Sequence, residues 1–303
     1  MDNSQTVDVA ILGTGPAGLQ AAIHAARKKV SVVVLGKEAK SSLFHAHIEN
    51  FCCMFDVAGD TMLENGRQQA ANFGARFLDE DVLAIDPQEN GYALKTETGT
   101  TFLATALIIA TGTQRNRLGV PGEKTLLGKG VSYCVDCDGH FYKGETVAVV
   151  GNESAAVDGA LTLTEIADKV HLICDKLEVS DHLRDKLDAG TVVVHQGAAV
   201  KAIEGENQVE RLILASGESL PLTGVFIEQG AKGLLQLATN LGIMLDPEMR
   251  YIQTDKQQAT NMAGIFAAGD ICGPPWQMAK AVGEGCVAGV YAANHAKAKR
   301  AAA

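Results

Sequence analysis

The sequence predicts an α/β protein that contains two βαβ nucleotide-binding units. Three observations lead to this fold class. The chain has 303 residues, it combines 47% hydrophobic residues with 32 glycines and only 5% aromatic residues, and a strand–turn–helix–strand pattern occurs twice. A chain of this length exceeds one compact core, so we expect two domains. The glycine content is typical of a backbone that turns sharply or approaches ligands closely.

The first βαβ unit begins near the start of the chain. An apolar strand at 8–12 runs into the turn Gly13-Thr-Gly15-Pro-Ala-Gly18, and an alanine-rich helix and a second strand at 30–35 follow. In this fingerprint the first glycine allows the tight turn, the second lets the backbone approach a pyrophosphate, and the third allows close packing of helix and strand. Because the expected strand and helix surround the glycines, the pattern predicts dinucleotide binding.

A pair of cysteines three positions apart is the reactive centre that the sequence predicts. Cys134 and Cys137 stand at the start of a predicted helical turn, and Asp138 follows them directly. Thiols at this spacing can close a disulfide ring, and neighbouring groups can favour the thiolate that reacts. Asp138 is placed to move a proton on or off the leaving sulfur. The alternatives are two buried cysteines or half of a zinc site, but no second ligand pair supports a metal.

A second βαβ pattern follows the cysteine pair. It consists of a strand at 146–150, a turn at 151–156, a helix at 157–166 and a strand that ends before Asp175. Glu153 stands where the fingerprint has its backbone-exposing glycine, and it brings a negative charge to the place of a pyrophosphate. Asp175 is well placed for a ribose hydroxyl. We therefore expect the fold of this site to be kept and its phosphate end to be altered.

Three further segments carry candidate cofactor residues. The strand at 106–110 ends in Thr111-Gly112, and a later strand ends in Gly269-Asp270. The Asp270 carboxylate suits hydrogen bonds from the ribityl chain of a flavin, with an acidic turn as the alternative. A helix predicted to begin at Trp276 offers N-terminal amides to negative charge on a reduced flavin. The second strand of the first unit ends in Gly36-Lys37-Glu38 instead of a single acid, which leaves the ribose contact open.

The segment at 43–53 is predicted to be a loop. His45 and His47 lie in it, and two histidines at that spacing are more often loop or packing residues than ligands of a metal or cofactor. Cys52 and Cys53 are adjacent, and a disulfide between neighbouring residues strains the peptide and misses the favoured geometry. We expect free thiols there, with an accessory redox role as the alternative.

The net charge and the cysteine content indicate which binding partners and which cellular compartment to expect. The formal net charge of −10 argues against nucleic acid and against an anionic membrane surface as partners. No apolar run reaches membrane-spanning length, and the polar first residues are not typical of a secretory signal. Seven cysteines, an odd number, suit a reducing compartment better than a disulfide framework. We therefore expect a cytoplasmic protein.

Five motifs occur along the chain in a fixed order. They are the glycine turn at 13–18, Asn50-Phe51, Ala110-Thr-Gly112, Cys134-x-x-Cys137-Asp-Gly, and Gly264-Ile-Phe-Ala-Ala-Gly-Asp270. Together they resemble the low-molecular-weight flavoprotein thioredoxin reductase family over nearly the whole chain. The resemblance implies two Rossmann-like, three-layer domains. An FAD-binding domain would take residues 1–116 and 246–303, and an inserted dithiol domain with a degenerate pyridine-nucleotide site would take residues 117–245.

The resemblance also implies roles for individual residues and a homodimer. Cys137 would face the flavin and receive its electrons, Cys134 would attack the partner disulfide, and Asp138 would act as acid and base. His140 occupies a position that is normally aromatic and apolar. The candidate FAD contacts are Gly13, Gly15, Pro16, Ala17, Gly18, Lys37, Asn50, Val82, Ala110, Thr111, Gly112, Gly269, Asp270, Gln277, Met278 and Ala279.

The chain departs from the family where NADPH would bind. Members that use NADPH carry Gly-x-Gly-x-x-Ala at the second turn, and then His-Arg-Arg with a further arginine, which hold the 2′-phosphate. The corresponding positions read Gly-Asn-Glu-Ser-Ala-Ala at 151–156, Cys-Asp-Lys at 174–176, and Ser180. Because arginine binds phosphate bidentately and Asp175 repels it, NADPH is not expected as the reductant. An Arg-Gln pair that often precedes the helix alanine is also changed, to Gln277-Met278.

This pattern is similar to the branch without NADPH signatures, which includes ferredoxin-dependent flavin thioredoxin reductases and diflavin-linked disulfide oxidoreductases. We therefore predict an FAD-dependent dithiol/disulfide oxidoreductase that passes electrons between flavin and the Cys134/Cys137 pair without NADPH. In the diflavin interpretation, a second FAD takes the former NADPH site. Its candidate contacts are Gly151, Asn152, Ser154 and Asp175.

Several alternatives for function stay open at this point. They are a ferredoxin-dependent thioredoxin reductase, an oxygen-dependent dithiol oxidase and, outside the enzymes, a flavin-binding redox sensor. Thioredoxin or another dithiol or disulfide is the expected partner. The electron donor is not identified: ferredoxin is a candidate, but it is acidic and would meet a chain whose net charge is −10.

Overall fold

The computed structural model describes residues 4–112, 117–230 and 240–302, and these residues divide into two compact units. Unit 1 combines both ends of the chain and holds residues 4–112 and 240–302. Unit 2 holds residues 117–230. The chain therefore leaves the first unit, builds the second, and returns to complete the first.

Unit 1 is built on a seven-stranded sheet in which five neighbouring strands pair in parallel and the last two strands of one side join by antiparallel pairing. Its strands are β1 Ser4–Leu12, β2 Val32–Leu35, β5 Ala75–Leu78, β6 Val82–Gln88, β7 Gly91–Thr96, β8 Thr101–Ile109 and β17 Ile265–Ala267. The order across the sheet is β5-β2-β1-β8-β7-β6. β17 pairs with the carboxyl-terminal half of β8, on the side opposite β1. A separate two-stranded ribbon consists of β3 His47–Ile48 and β4 Val57–Ala58.

The described part of unit 1 holds three long helices, and two of them pack closely through small residues. They are α1 Pro16–Arg27, α2 Gly59–Asn72 and α6 Met278–Ala302. A Cβ on Gly285 of α6 would lie 2.2 Å from the Ala17 carbonyl oxygen of α1, so this approach requires glycine. Alanines of both helices and apolar residues of β1 and β2, such as Ile11 and Val34, are buried together in one core. The N-termini of the two helices are thereby held close to the carboxyl edge of the sheet.

Unit 2 contains a five-stranded parallel sheet and a three-stranded antiparallel sheet that share a core. The parallel strands are β9 Val131–Ser132, β10 Thr146–Val150, β11 Lys169–Cys174, β12 Val193–Gln196 and β16 Gly224–Ile227, in the order β12-β11-β10-β16-β9. The antiparallel strands are β13 Val200–Glu204, β14 Arg211–Leu214 and β15 Ser219–Pro221. The helices are α3 Val135–Asp138, α4 Ser154–Leu163 and α5 Asp181–Asp188.

The predicted α/β fold class is confirmed, and the differences from the predicted elements are local. The loop at 43–53 contains the short strand β3, and the helix expected from Trp276 begins at Met278. The chain lies in unit 1 again from residue 240. Asn261 binds the returning segment, because its side chain accepts from Met244 N at 2.7 Å and donates to Gly242 O at 2.9 Å. The domain bounds 1–116 with 246–303, and 117–245, stay a prediction. No described helix is both long enough and apolar enough to cross a membrane.

Candidate functional site

In unit 1, most of the predicted cofactor residues gather at the carboxyl ends of three neighbouring parallel strands. Leu12 at the end of β1 pairs with Ile109 at the end of β8, and Ala267 at the end of β17 pairs with the same residue. The segments that follow these strands therefore lie side by side. They are the glycine turn at 13–18, Ala110 to Gly112, and Gly269 with Asp270. Ligands of open α/β sheets bind at this edge.

The first glycine turn fits the pyrophosphate of a dinucleotide such as FAD. Gly13 has a φ of 110°, and a Cβ there would lie 2.2 Å from the Ala110 carbonyl oxygen, so no larger residue fits. A Cβ on Gly15 would meet only Ser41 Oγ, at 3.4 Å, which leaves the space beside the turn open. Pro16 and Ala17 begin the twelve-residue helix α1, whose N-terminus favours an anion.

Two charged residues of α6 fix the segment that follows β17. Gly269 N donates to Glu284 Oε2 at 2.8 Å, Lys280 Nζ donates to Gly269 O at 2.9 Å, and Lys280 pairs with Glu284 at 3.0 Å. Burial raises the pKa of Asp270 above its usual value; Lys280 counteracts this in part and Glu284 adds to it. A carboxyl group in this setting suits hydrogen bonds to hydroxyl groups, such as those of a ribityl chain.

Lys37, one of the predicted FAD contacts, is held by two buried carboxylates. Its Nζ lies 3.1 Å from Asp81 Oδ2 and 2.9 Å from Glu97 Oε1, and Lys40 reaches Asp81 at 3.4 Å. Burial alone would lower the pKa of Lys37, but the hydrogen bonds and charges of Glu97 and Asp81 outweigh it and raise the pKa. Lys37 therefore has a structural role, and its contact with a cofactor stays a prediction.

The remaining predicted contacts of unit 1 lie around the start of α6 and β6. Asn50 Nδ2 donates to Gln277 Oε1 at 3.1 Å, although the two residues are 227 positions apart. Met278 and Ala279 form the first turn of α6. Val82 is buried at the start of β6, directly after Asp81. Asn50, Gln277, Met278 and Ala279 thus lie together, while Val82 lies beside the Lys37 ion pairs.

In unit 2, the dithiol and the second glycine turn lie at the same edge of the parallel sheet. The strand order β10-β16-β9 places β16 between the two. Gly151 follows β10, Glu228 follows β16, and Cys134 comes two residues after the end of β9. Because the three strands are parallel, these residues emerge next to one another.

The two cysteines form a disulfide, and their sulfur atoms have different surroundings. The Sγ atoms of Cys134 and Cys137 are 2.01 Å apart. Cys134 is the N-cap of α3, where its Sγ accepts a hydrogen bond from Cys137 N at 3.1 Å. Cys134 is buried, with 4% exposure, whereas Cys137 is half-buried. A backbone amide is thus already in place for negative charge on the Cys134 sulfur.

Ser132 orients the predicted acid and base. Its Oγ donates to Asp138 Oδ2 at 2.6 Å and accepts from Cys134 N at 3.1 Å. The hydroxyl group therefore joins the backbone amide of the first disulfide cysteine to the carboxylate that follows the second cysteine. Ser132 was not among the predicted site residues. Its position two residues before Cys134, at the end of a strand, was the signal available in the sequence.

Glu228 is a second site residue that the sequence analysis missed. It is buried, with 3% exposure, and its Oε1 accepts from Val135 N at 3.0 Å. Its carbonyl oxygen lies 1.9 Å from the place that a Cβ on Gly151 would take. Glu228 therefore contacts both α3, the short helix that carries Cys137 (the dithiol helix), and the second glycine turn at 151–156. In the sequence it is a single acid after the apolar strand β16.

The second glycine turn differs from the first at its phosphate end. Glu153 is the N-cap of α4 and has an extended backbone, as Gly15 has at α1. Asn152 Oδ1 accepts from Asp175 N at 3.0 Å, which ties the turn to the end of β11. Of the contacts predicted for a second nucleotide, Asn152 and Asp175 are exposed, whereas Ser154 is fully buried.

Comparison with known proteins places the chain in a family. Residues 7–285 match the pyridine nucleotide-disulphide oxidoreductases. The thioredoxin reductase of Streptomyces coelicolor is 33% identical over 95% of this chain and 94% of that protein. The chain belongs to the thioredoxin reductase family. This confirms the resemblance, and it makes the protein a flavin-dependent disulfide oxidoreductase that binds FAD.

Two solved structures of this family are similar to the chain over nearly its whole length. The atypical thioredoxin reductase TRi from Desulfovibrio vulgaris Hildenborough has 34% identity and a TM-score of 0.85, with 96% of this chain and 98% of that chain covered. A ferredoxin-flavin thioredoxin reductase from Clostridium acetobutylicum has 30% identity and a TM-score of 0.71, with the same coverage of 96% and 98%.

Proposed function

We propose that this family member moves electrons between one bound FAD and the Cys134/Cys137 pair and does not use NADPH. The observation that carries the proposal is Glu153 at the N-cap of α4, where Gly15 stands at α1. A carboxylate at a helix N-terminus opposes phosphate through its charge and occupies the approach to the amides. The exposed Asp175 adds a second acid where NADPH-using members carry arginine.

A second FAD in unit 2 is the alternative within this proposal. Asp175 favours it, because an acid at the end of the second strand suits a ribose hydroxyl. The pyrophosphate of a second FAD would nevertheless meet the Glu153 carboxylate, just as that of NADPH would. Charge therefore supports one FAD per chain and a donor that is not a nicotinamide nucleotide.

The donor itself is proposed to be a protein. The similarity to a ferredoxin-flavin thioredoxin reductase supports this class of donor. A ferredoxin is acidic, and the net charge of −10 opposes its approach unless a local group of lysines and arginines receives it. The salt dependence of reduction by a ferredoxin would reveal such a contact, because screening weakens it.

FAD, when bound by the residues around the first glycine turn and Gly269 and reduced by the electron donor, would supply the electron pair for cleavage of the Cys134–Cys137 bond. The chain provides the rest. Cys137 N holds negative charge on the Cys134 sulfur, and Asp138, oriented by Ser132, holds or releases the proton. The Cys134 thiolate then attacks a substrate disulfide and forms a mixed disulfide, which Cys137 resolves. One substrate disulfide becomes two thiols, and the cysteine pair becomes a disulfide again.

Thioredoxin is the proposed disulfide partner, because the relatives of this chain are thioredoxin reductases. A homodimer and a cytoplasmic location are proposed on the same resemblance. Reduction of thioredoxin, and not of glutathione or of a small aromatic disulfide alone, would support the partner. Consumption of oxygen with a small dithiol as the only reductant would instead support a dithiol oxidase.

The deciding experiment measures the FAD released per chain from denatured protein and then adds NADPH anaerobically to native protein. We expect one FAD per chain and no bleaching of the flavin absorbance by NADPH, although dithionite bleaches it fully. Two FAD per chain without bleaching would favour the second-FAD alternative. Rapid bleaching by NADPH would overturn the interpretation of Glu153 and Asp175.

A further inference from the structure

Cys52 and Cys53 form an exposed pair of thiols in unit 1 to which the proposed reaction assigns no role. Both are free and exposed, and their Sγ atoms are 3.5 Å apart. Cys53 has a φ of 68°, a left-handed conformation that is uncommon for residues other than glycine. In an extended chain adjacent side chains point to opposite faces, whereas this turn brings the two sulfur atoms together.

The geometry favours a bridging atom over a direct disulfide. The Cα atoms of adjacent residues are about 3.8 Å apart across a trans peptide, which is shorter than the roughly 4.4–6.8 Å that disulfides span. A soft centre with bonds of about 2.3 Å to each sulfur, at an angle between 90° and tetrahedral, needs sulfur atoms roughly 3.3–3.8 Å apart. The observed 3.5 Å lies within this interval.

The donor set favours a centre that needs only two protein ligands. Within the described residues no group of three or more His, Cys, Asp and Glu side chains could hold a metal ion. His47, five residues before Cys52 in the sequence, has its ring engaged with Asp56, at 2.7 Å, and with Glu49, at 3.4 Å. A structural zinc ion requires four ligands, so it is poorly served here. Trivalent arsenic that carries its own organic group requires two thiols and no more.

We propose that Cys52 and Cys53 form a chelating site for trivalent arsenicals. An arsenical R–As=O condenses with both thiols to give R–As(S-Cys)₂ and one molecule of water. Two As–S bonds form, the arsenic–oxygen bond breaks, and the two thiol protons leave in the water. Arsenic stays trivalent, so no oxidant or reductant is needed. Because the second bond closes within the protein, the pair binds far more tightly than either thiol alone.

Phenylarsine oxide tests the site on the full-length, FAD-loaded protein with the Cys134–Cys137 disulfide intact. Intact-mass measurement should show one phenylarsenic group per chain, bound through loss of water. A small dithiol should remove it, whereas an equal concentration of a monothiol should not. Cys52→Ser and Cys53→Ser should each weaken binding by on the order of 10²-fold or more, because each leaves a single thiol.

Cys272→Ser and Cys286→Ser are the matched controls. Each removes a free, half-buried thiol, and neither thiol has a cysteine next to it in the sequence. Both should keep the adduct. FAD content and thioredoxin reduction should be unchanged in Cys52→Ser, since the side chain is exposed. Persistence of the adduct in both Cys52→Ser and Cys53→Ser would overturn the proposal. A wild-type peptide found with Cys52 and Cys53 joined as a disulfide would overturn it as well.

Discussion

Two side chains outside the dithiol contact the residues around it and are expected to influence its reactivity. Ser132 connects Cys134 N to the Asp138 carboxylate, and Glu228 accepts from the amide of Val135. The first contact places a proton carrier, and the second puts a buried acid beside the short helix α3, whose N-cap is Cys134. The two acids therefore have different expected effects, one on proton transfer and one on the charge that the sulfur atoms can carry.

Asp138→Asn is expected to slow thiol–disulfide exchange by about 10²-fold or more, the usual loss when a general acid or base is removed. Ser132→Ala should cost about tenfold, because a hydrogen bond to a charged group is worth roughly 1.5 kcal/mol. Stopped-flow oxidation of the reduced protein by a small aromatic disulfide measures both. Asp136→Asn, which removes an acid from the same helix, is the control and should leave the rate within about twofold. Equal rates for Asp138→Asn and wild type would exclude Asp138 as the proton carrier.

Glu228→Gln is expected to make the dithiol easier to reduce. Glutamine keeps an acceptor for Val135 N but removes a buried negative charge that opposes a thiolate nearby. One tenfold change in a two-electron equilibrium is about 30 mV, so we expect a rise in midpoint potential on the order of 10–30 mV. Equilibration with a glutathione buffer measures it. Glu123→Gln, a buried acid bound to Tyr133 and to Gly119 N, is the control. An unchanged or lower potential in Glu228→Gln would contradict this role.

At the scale of secondary structure, a histidine pair joins two strands of unit 2. His171 Nδ1 of β11 lies 2.8 Å from His195 Nε2 of β12. Burial lowers the pKa of His171 to about 4, with further contributions from His195 and Lys169. His171 is therefore neutral in the folded protein at pH 7, and protonation would place a charge in the buried face of the strand.

Because of this histidine pair, we expect the free energy of unfolding to fall at mildly acidic pH. The folded-state pKa of about 4 lies below the unfolded value of 6.5, so the unfolded chain takes up the proton first. The contribution to stability is complete above the unfolded pKa, falls as pH drops from 6.5 to 4, and levels off below that. We expect a loss on the order of 1–3 kcal/mol, read as the urea midpoint at each pH. His171→Gln should flatten this dependence, whereas replacement of the exposed His182 should not.

The ion pairs of Lys37 connect three segments of unit 1. They tie the end of β2 to Asp81 before β6 and to Glu97 in the turn between β7 and β8. Lys37→Met removes the cation nearest to both buried carboxylates, and we expect it to cost roughly 3 kcal/mol of unfolding free energy. Lys40→Met should cost less, because Lys40 reaches only Asp81, at 3.4 Å. Urea unfolding measures both. If Lys37→Met loses FAD while its urea midpoint is unchanged, Lys37 contacts the cofactor instead.

For the molecule as a whole, the sequence predicted the fold and the reactive pair well, because both depend on local patterns. The strand at 146–150, the glycine turn at 13–18 and the cysteines after β9 are each specified by a few adjacent residues. Ser132, Glu228 and the partners of Lys37 could not be found in this way. Glu228 meets the dithiol helix only because β16 lies beside β9, a neighbour relationship that the strand order creates. Long-range pairings of this kind leave no periodic trace in the chain.

The second nucleotide turn and the strand end after it differ from those of NADPH-using relatives. Reversing these differences tests whether they alone keep NADPH from reducing the flavin. Glu153→Gly, Asp175→Arg, Lys176→Arg and Ser180→Arg together restore the glycine and the three arginines that NADPH-using relatives carry. Glycine is accepted at a helix N-cap, and Asp175 and Lys176 are exposed. Ser180→Arg removes the N-cap hydrogen bond that Ser180 Oγ accepts from Leu183 N at 3.4 Å, a loss of about 1 kcal/mol that a folded domain tolerates.

We expect this combined variant to gain NADPH binding and NADPH-dependent bleaching of its flavin. Each charged hydrogen bond to the 2′-phosphate is worth roughly 1.5–3 kcal/mol, so two or three of them should raise affinity by 10²-fold or more. Glu153→Gly alone should gain little, because the phosphate would still meet Asp175, and the three substitutions to arginine without Glu153→Gly should still be opposed at the pyrophosphate. Anaerobic titration with NADPH, followed by flavin absorbance, measures the three variants and the wild type. Bleaching of the wild type as fast as the combined variant would show that Glu153 and Asp175 are no barrier. If the combined variant binds NADPH tightly and its flavin is not bleached, then the step that fails is electron transfer from NADPH to FAD.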